Sequence, residues 1–209
     1  MNFPVQENTL IIFAGRRWRV LQVDGRRKAI QVAKASGGQI PRFLDSSGNI
    51  HDRVRQEMRS IYGETGIPPY LDGQASRLLV QGRQKFHDLG LQKRTIVSHD
   101  DSSFLFVWCG DRVINTIAVL LQAAGLRIQN HGVALQVPGI SPADLTGYLR
   151  RLVEAGPADP MALARVIPNK ETEKFHYLLT EGLLCAGYAS SRLDTVGAWQ
   201  TLANVISPN

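Results

Sequence analysis

The sequence of 209 residues lacks the short motifs that mark common nucleotide-driven and hydrolytic enzymes. It contains no Gly-x-x-x-x-Gly-Lys-Ser/Thr phosphate loop, no Asp-Glu-x-His box and no Gly-x-Ser-x-Gly nucleophile elbow. Without a phosphate loop and a magnesium-binding carboxylate beside it, no group in this chain can hold a triphosphate for hydrolysis. We therefore expect the chain itself to be non-catalytic.

Long apolar runs and paired cysteines are missing as well. No apolar stretch approaches the roughly 20 residues that cross a bilayer, and the first ten residues have no basic region followed by an apolar core. We expect a cytoplasmic protein without a membrane partner. Cys109 and Cys185 are far apart in the chain, which predicts free, buried thiols. No histidine pair has the spacing of a helical zinc site, and a hairpin turn explains His99 beside Asp100 and Asp101, so we expect no metal or other cofactor.

Positive charge is present, and it is concentrated near the N-terminus. The formal net charge is +6; residues 1–63 contain eleven Lys or Arg against five Asp or Glu, and residues 64–209 contain thirteen of each. This asymmetry predicts an anionic partner for the N-terminal part, with nucleic acid first among the candidates. The alternative is a solvated basic surface that keeps the protein in solution.

The basic region coincides with a predicted antiparallel β meander over 9–13, 18–24 and 29–34, because apolar runs alternate with glycine turns. Strict alternation in the middle strand places Trp18, Val20 and Gln22 on one side and Arg19, Leu21 and Val23 on the other. We expect Trp18 to face inward. Three strands cannot close a barrel, so we expect a partial barrel, entered partway through a larger domain.

Helical periodicity follows the meander. Residues 51–62 predict a basic amphipathic helix that covers one end of the β module, and Pro68 and Pro69 mark a module boundary. Residues 72–155 then predict helix, hairpin, helix, hairpin, helix, with Asp111 as one N-cap and Ser141 as another. The expected fold class is α+β: a small antiparallel β module with a covering helix (1–66), an antiparallel four-stranded sheet with packed helices (67–157), and a helical C-terminus (158–209) capped in part by Asp194.

Three stretches near the N-terminus, FAGRRWRV at 13–20, GGQIPRF at 37–43 and HDRVRQEM at 51–58, resemble the region beyond the motor and winged-helix domains of Lhr-type superfamily 2 helicases. The stretches YLLTEGLL at 177–184, YASSRLD at 188–194 and GAW at 197–199 resemble the end of that core. The alternation of helices and hairpins over 72–155 is also similar, in fold only, to the small chaperones of type III secretion.

The helicase resemblance implies an accessory C-terminal domain of an ATP-dependent DEAD/DEAH-box helicase that helps to bind single-stranded DNA or RNA:DNA. It also implies that ATP and magnesium bind to the RecA-like motor of a parent chain, and that the motor and the winged helix are partners. The alternative is a protein-interaction or adaptor module that docks on such a motor or on another subunit.

Guanidinium and ammonium groups are the side chains best suited to contact phosphates. The first set of candidate nucleic-acid ligands lies in the β meander: Arg16, Arg17, Arg19, Arg26, Arg27 and Lys28. A second set lies on the predicted basic helix: Arg53, Arg55 and Arg59.

Overall fold

The structure is a computed structural model that describes residues 7–13, 16–24, 27, 29–35, 49–173 and 175–207. The chain divides into two compact units, one of Met1–Gly48 with Thr172–Lys174 and one of Asn49–Glu171 with Phe175–Asn209. The fold is α+β, as predicted, with an antiparallel sheet of three strands and an antiparallel sheet of four. In the part of the chain described, no helix has both the length and the apolar character needed to cross a membrane.

The described residues form seven strands and seven α-helices. The strands are β1 (Leu10–Phe13), β2 (Arg16–Asp24), β3 (Ala29–Lys34), β4 (Ile96–His99), β5 (Ser102–Phe106), β6 (Gln129–Asn130) and β7 (Ala134–Pro138). The helices are α1 (Asp52–Gly63), α2 (Gly73–Asp88), α3 (Asp111–Ala123), α4 (Pro142–Glu154), α5 (Pro160–Arg165), α6 (Glu181–Arg192) and α7 (Thr195–Ile206). A 3₁₀ turn, His176–Leu178, precedes α6.

The N-terminal unit contains the predicted meander, with strand order β1-β2-β3 and antiparallel pairing throughout. The three strands do not close into a barrel. A β-bulge interrupts the β2–β3 pairing, because Val20 pairs with Val32 while Gln22 pairs with the adjacent Gln31, which leaves Leu21 as an extra residue. A bulge of this kind shifts the alternation of side chains along one strand.

Because of the bulge, two residues of β2 lie on faces of the sheet other than the predicted ones. Val23 pairs with Ile30, and Ile30 lies two residues from Val32 on β3, so Val23 joins the face of Val20 instead of the opposite one. Gln22 correspondingly moves to the face of Arg19. The rephasing keeps the valines together on one apolar face, where Val20 is fully buried.

In the second unit the four-stranded sheet has the order β4-β5-β7-β6, as expected for two hairpins joined in one antiparallel sheet. Leu105, Leu135 and Val137 point to one face and are completely buried. They pack with apolar residues of α3, α4 and α7 into the main core, which includes Ile114, Ile117, Leu121, Leu145, Leu149, Ala198 and Leu202. Helices thus cover one side of the sheet, as predicted.

The other face of this sheet packs against α1 and α2. Val97 and Phe104 pair across β4 and β5, and they belong to a cluster of apolar side chains, most of them aromatic. That cluster includes Met58, Tyr62, Phe86, Leu91, Phe106 and Trp108. The sequence pattern assigned α1 to the N-terminal module; the structure groups it with the second unit, because its apolar stripe packs on α2 and on this sheet. The unit boundary accordingly falls at 48/49 rather than near 66.

The α3 N-terminus differs from the prediction, and two others match it. Gly110, not Asp111, occupies the N-cap of α3, and the Asp111 carboxylate instead accepts a hydrogen bond from the Ile50 backbone N–H at 2.9 Å. The Ser141 hydroxyl accepts from the Asp144 N–H at 3.1 Å. Asp194 accepts from the Gly197 N–H at 2.8 Å, so both of these predicted caps are confirmed.

The two cysteines are free and buried, as predicted. Burial, together with the nearby Asp52 carboxylate, raises the pKa of the Cys109 thiol to about 12. Burial also raises the pKa of Cys185, which donates to the Glu181 carboxylate at 3.5 Å. A thiol whose pKa is raised is a poor nucleophile at neutral pH, which favours packing over chemistry for both residues.

Candidate nucleic-acid interface

Two of the predicted arginines share one face of the N-terminal sheet. Arg17 pairs with Ile12 and Arg19 pairs with Leu10 across β1 and β2, and directly paired residues point to the same side of an antiparallel sheet. Their Cα atoms are two residues apart, which is about 6.6 Å along a strand. Arg19 is exposed and Arg17 is partly buried. Guanidinium groups at this spacing suit neighbouring phosphates of one strand.

Glutamines extend the same face, and sequence reasoning missed them. Gln22 and Gln31 pair across β2 and β3, and both are exposed. They lie on the face of Arg19 because the bulge shifts Gln22 by one position, and strict alternation assigns Gln22 to the other side. A signal was present in the sequence, since the apolar run Val20-Leu21 followed by Val23 breaks the two-residue period. We call Arg17, Arg19, Gln22 and Gln31 the polar sheet face.

The opposite face is apolar with cations at one end. Arg16 pairs with Phe13, and Trp18 pairs with both Ile11 and Lys34. Trp18 is partly buried and shares this side with the fully buried Val20, in line with the expected inward orientation. Arg16 and Lys34 are exposed. Arg16 therefore lies on the other side of the sheet from Arg17 and Arg19, and Lys34 is a cation that sequence reasoning did not select.

The β2–β3 turn contributes one described cation. The Arg27 backbone N–H donates to the Asp24 carboxylate at 3.0 Å, and the Arg27 guanidinium lies 3.7 Å from the same carboxylate. This ion pair is exposed, so it contributes little to stability and leaves the guanidinium accessible to solvent. Arg26 and Lys28 lie outside the described residues.

The arginines of α1 are engaged within the second unit. Arg53 forms an ion pair with Glu57, one turn along the helix, at 2.6 Å. Arg59 donates to the Gln92 backbone carbonyl at 3.2 Å. Both side chains are exposed, but each has a local partner that a phosphate would have to displace or share.

Arg55 is a structural residue by its environment. It is 8% exposed, and its Nη2 lies 3.3 Å from the Asp111 carboxylate. A Cβ at Gly132, on the β6–β7 turn, would lie 2.9 Å from the same Nη2, so the turn closes over the guanidinium. Buried under this turn and paired with Asp111, Arg55 connects α1, α3 and the second hairpin and is not accessible to a phosphate.

The net charge of the chain lies mostly in the unit that contains the polar sheet face. Residues 1–48 contain eight Lys or Arg against three Asp or Glu, a net charge of +5 out of the total of +6. Residues 49–209 therefore account for a net +1. The arginines of the polar sheet face belong to the unit that holds almost all of the net charge.

Apart from this surface, one small apolar cleft stands out in the described part of the chain. Within those residues, no group of three or more His, Cys, Asp or Glu is arranged to hold a metal ion. An apolar cleft of about 120 Å³ lies among α3, α4 and α7, lined in part by Leu120, Leu152 and Trp199. Pockets for small molecules are usually about 300–1,000 Å³, so this cleft is smaller than a typical small-molecule site.

The chain was compared with models of protein families, with curated proteins and with solved structures, and no match was found in any of the three.

Proposed function

We propose that this chain is a non-motor accessory domain of an ATP-dependent nucleic-acid helicase, and that its N-terminal unit contacts a single strand of DNA or RNA. The observation that supports the proposal most strongly is the polar sheet face, where Arg17 and Arg19 lie side by side with Gln22 and Gln31. The resemblance of several stretches to Lhr-type helicases supplies the helicase context. In this proposal ATP and magnesium belong to a motor elsewhere in the parent protein.

The side chains of the polar sheet face suit contacts with the nucleic-acid backbone better than stacking on bases. Arginine and glutamine side chains donate hydrogen bonds to phosphate and sugar oxygens, which fixes a strand without reading its sequence. The one tryptophan of the sheet, Trp18, pairs with Ile11 and lies on the other side. We therefore expect weak dependence on base sequence and strong dependence on salt.

The test compares arginines on the two faces of the same strand. Binding of the full chain to a fluorescein-labelled single strand of about 20 nucleotides is followed by anisotropy at low salt. Arg19→Glu is expected to weaken binding by at least about tenfold, since a charge-assisted hydrogen bond contributes roughly 1.5–3 kcal/mol. Arg16→Glu, on the opposite face, has the same charge change and is the matched control. Equal losses from both variants would mean that charge alone, without this face, attracts the nucleic acid, and no binding by the wild type would reject the proposal.

The helicase context has a separate test. The proposal expects that the reading frame upstream of Met1 encodes a phosphate loop and an Asp-Glu-x-His box. A complete, independent gene without such motifs would leave nucleic-acid binding possible and would remove the helicase assignment.

A further inference from the structure

The layer formed by α1 and α2 buries few residues, and most of those are charged. In these two helices, which are described throughout, three residues are buried: Arg55, Arg83 and Phe86. Helix α3 alone buries six residues, five of them apolar. Because burial of apolar side chains is the main source of local stability, the α1–α2 layer is held on the sheet less firmly than α3.

Arg83 is a buried guanidinium that has no carboxylate partner. It is 7% exposed, and it donates to the carbonyl oxygens of Ile61 and Gly66, each at 2.9 Å. Among the described residues, no acidic side chain forms an ion pair with it. Carbonyl dipoles replace only part of the hydration that a buried charge loses, so the packed position of Arg83 is costly. Opening of the layer returns this charge to water.

Buried donors without partners are concentrated in the same layer. Among the described residues, the buried side-chain nitrogen and oxygen atoms that have no hydrogen-bond partner are Arg55 Nε, Arg83 Nη2 and Trp108 Nε1. Trp108 contacts both helices, with ring centroids 6.2 Å from Tyr62 of α1 and 5.8 Å from Phe86 of α2. An unpaired buried donor loses the hydrogen bonds that it makes with water. Each of the three donors therefore favours an open layer.

The backbone of Trp108 is strained as well. Its φ is 51°, in the left-handed region that bulky residues rarely adopt. Such a conformation persists only where the surrounding packing imposes it, and it is frequent in switch regions. Here the packing is that of α1 and α2 on the end of β5, so opening of the layer allows this residue to relax.

The two helices are joined to each other by several contacts, so they move together. The rings of Tyr62 and Phe86 are stacked with centroids 5.9 Å apart. A Cβ at Gly82 of α2 would lie 2.8 Å from the Tyr62 ring, which shows how closely the helices approach. The hydrogen bonds of Arg83 connect α2 to the end of α1 and to the segment that follows it.

Both ends of the layer are attached to the rest of the second unit. At the start of α1, the Ile50 N–H donates to Asp111 and the Gly110 N–H donates to Asp52, each at 2.9 Å. At the other end, Gly90 follows α2 with φ 66°, and β4 begins at Ile96. Two attached ends with a weakly held body between them are the arrangement of a hinged lid.

From these observations we infer that α1 and α2 form a lid that opens from the four-stranded sheet as one body, while the sheet and the main core remain folded. We call residues 53–91 the α1–α2 lid. Its opening uncovers the sheet face that contains Val97, Phe104 and Trp108. The inference concerns the second unit alone and does not depend on the polar sheet face.

Hydrogen exchange of the full chain, followed by mass spectrometry without nucleic acid, tests the inference. After correction for intrinsic rates, amides in the middle of α1 and α2 should exchange at least about tenfold faster than the most protected amides of α3. This difference is expected because the lid amides exchange through opening, whereas the α3 amides require unfolding of the main core.

Two variants separate lid opening from global unfolding. Leu149→Ala, at a completely buried position of the main core, should accelerate exchange in α3 by at least about 30-fold and leave exchange in the lid unchanged, because the open state keeps this core. Phe86→Ala is the matched lid variant and should accelerate exchange by at least about tenfold in both places, since Phe86 is released by either opening. If Leu149→Ala does not fold, Ile117→Val makes the same comparison with a change of about two- to tenfold in α3.

Either of two results would overturn the inference. One is a wild-type chain in which the lid amides are as well protected as those of α3. The other is a main-core variant that accelerates exchange in the lid and in α3 by the same factor, because the lid would then open only when the whole unit unfolds.

Discussion

Gly110, at the N-cap of α3, is a position where the structure predicts a large response to one added methyl group. Its backbone has φ −68° and ψ 170°, a conformation that alanine adopts without strain. The restriction is space: a Cβ at this position would lie 2.6 Å from the Ile50 carbonyl oxygen and 2.8 Å from the Asp52 backbone nitrogen. Both neighbours are backbone atoms, so no side-chain rotation can relieve the contact.

The expected cost of Gly110→Ala follows from what must move. Ordinary contact would require a displacement of roughly 1 Å, which would strain three hydrogen bonds. These are Ile50 N–H to Asp111, Asp111 N–H to the Ile50 carbonyl, and Gly110 N–H to Asp52, each 2.9 Å long. Overpacking costs about 1–3 kcal/mol and each hydrogen bond contributes about 1 kcal/mol, so we expect a loss of about 3 kcal/mol.

Urea unfolding measures this loss, with tryptophan fluorescence and circular dichroism as two probes. Gly147→Ala is the control, since Gly147 lies inside α4 and a Cβ added there would have no neighbouring atom within 4 Å. Removing a glycine from an open helix position should stabilise the protein by about 0.5–1 kcal/mol. If Gly110→Ala unfolds within about 0.5 kcal/mol of the wild type, the close packing of 50–52 on the start of α3 is wrong.

Two further substitutions test the charged contacts of the second unit. Arg55→Met should lower the free energy of unfolding in urea by about 2 kcal/mol. This is less than the roughly 3–5 kcal/mol for a fully buried ion pair, because Asp111 is partly exposed and keeps its hydrogen bond from Ile50. Nucleic-acid affinity should not change, and a loss of affinity with normal stability would contradict the structural role of Arg55. The hydrogen bond from Lys170 lowers the pKa of Glu181, so this carboxylate stabilises the fold above its ordinary pKa of 4.5 and ceases to do so as the pH falls through its lowered value. Glu181→Gln should therefore be less stable than the wild type at pH 7 and equally stable in strong acid, whereas a difference independent of pH would reject the contribution of the ion pair.

Local sequence signals predicted most of the elements, because periodicity and caps act over a few residues. The helix over 142–154 starts where Ser141 and Pro142 indicated, and the 29–34 strand has the predicted bounds. The fold class follows from the order of these elements. Contacts between elements that are far apart in the sequence could not be predicted in this way. An example is the packing of α1 against a sheet that begins more than thirty residues later.

The candidate nucleic-acid ligands also divide into those that local sequence signals predict and those whose environment depends on residues far away in the sequence. Arg19 was predicted from composition and strand pattern, and the structure leaves it exposed on a sheet. Arg55 had the same signal on an amphipathic helix, but a carboxylate from α3 and a turn at Gly132 bury it, and neither partner is near in sequence. The bulge at Leu21 depends on β3 pairing, so strict alternation misassigned Gln22.

The salt dependence of single-strand binding tests the central proposal most directly. For a single strand, the logarithm of the binding constant falls with the logarithm of salt concentration with a slope of about −0.7 for each phosphate neutralised. If Arg17 and Arg19 each contact a phosphate, the double alanine variant should lower the magnitude of this slope by about 1.4, while Arg53→Ala should leave it unchanged. An identical slope for the wild type and the double variant would contradict the assignment of the polar sheet face as the binding surface.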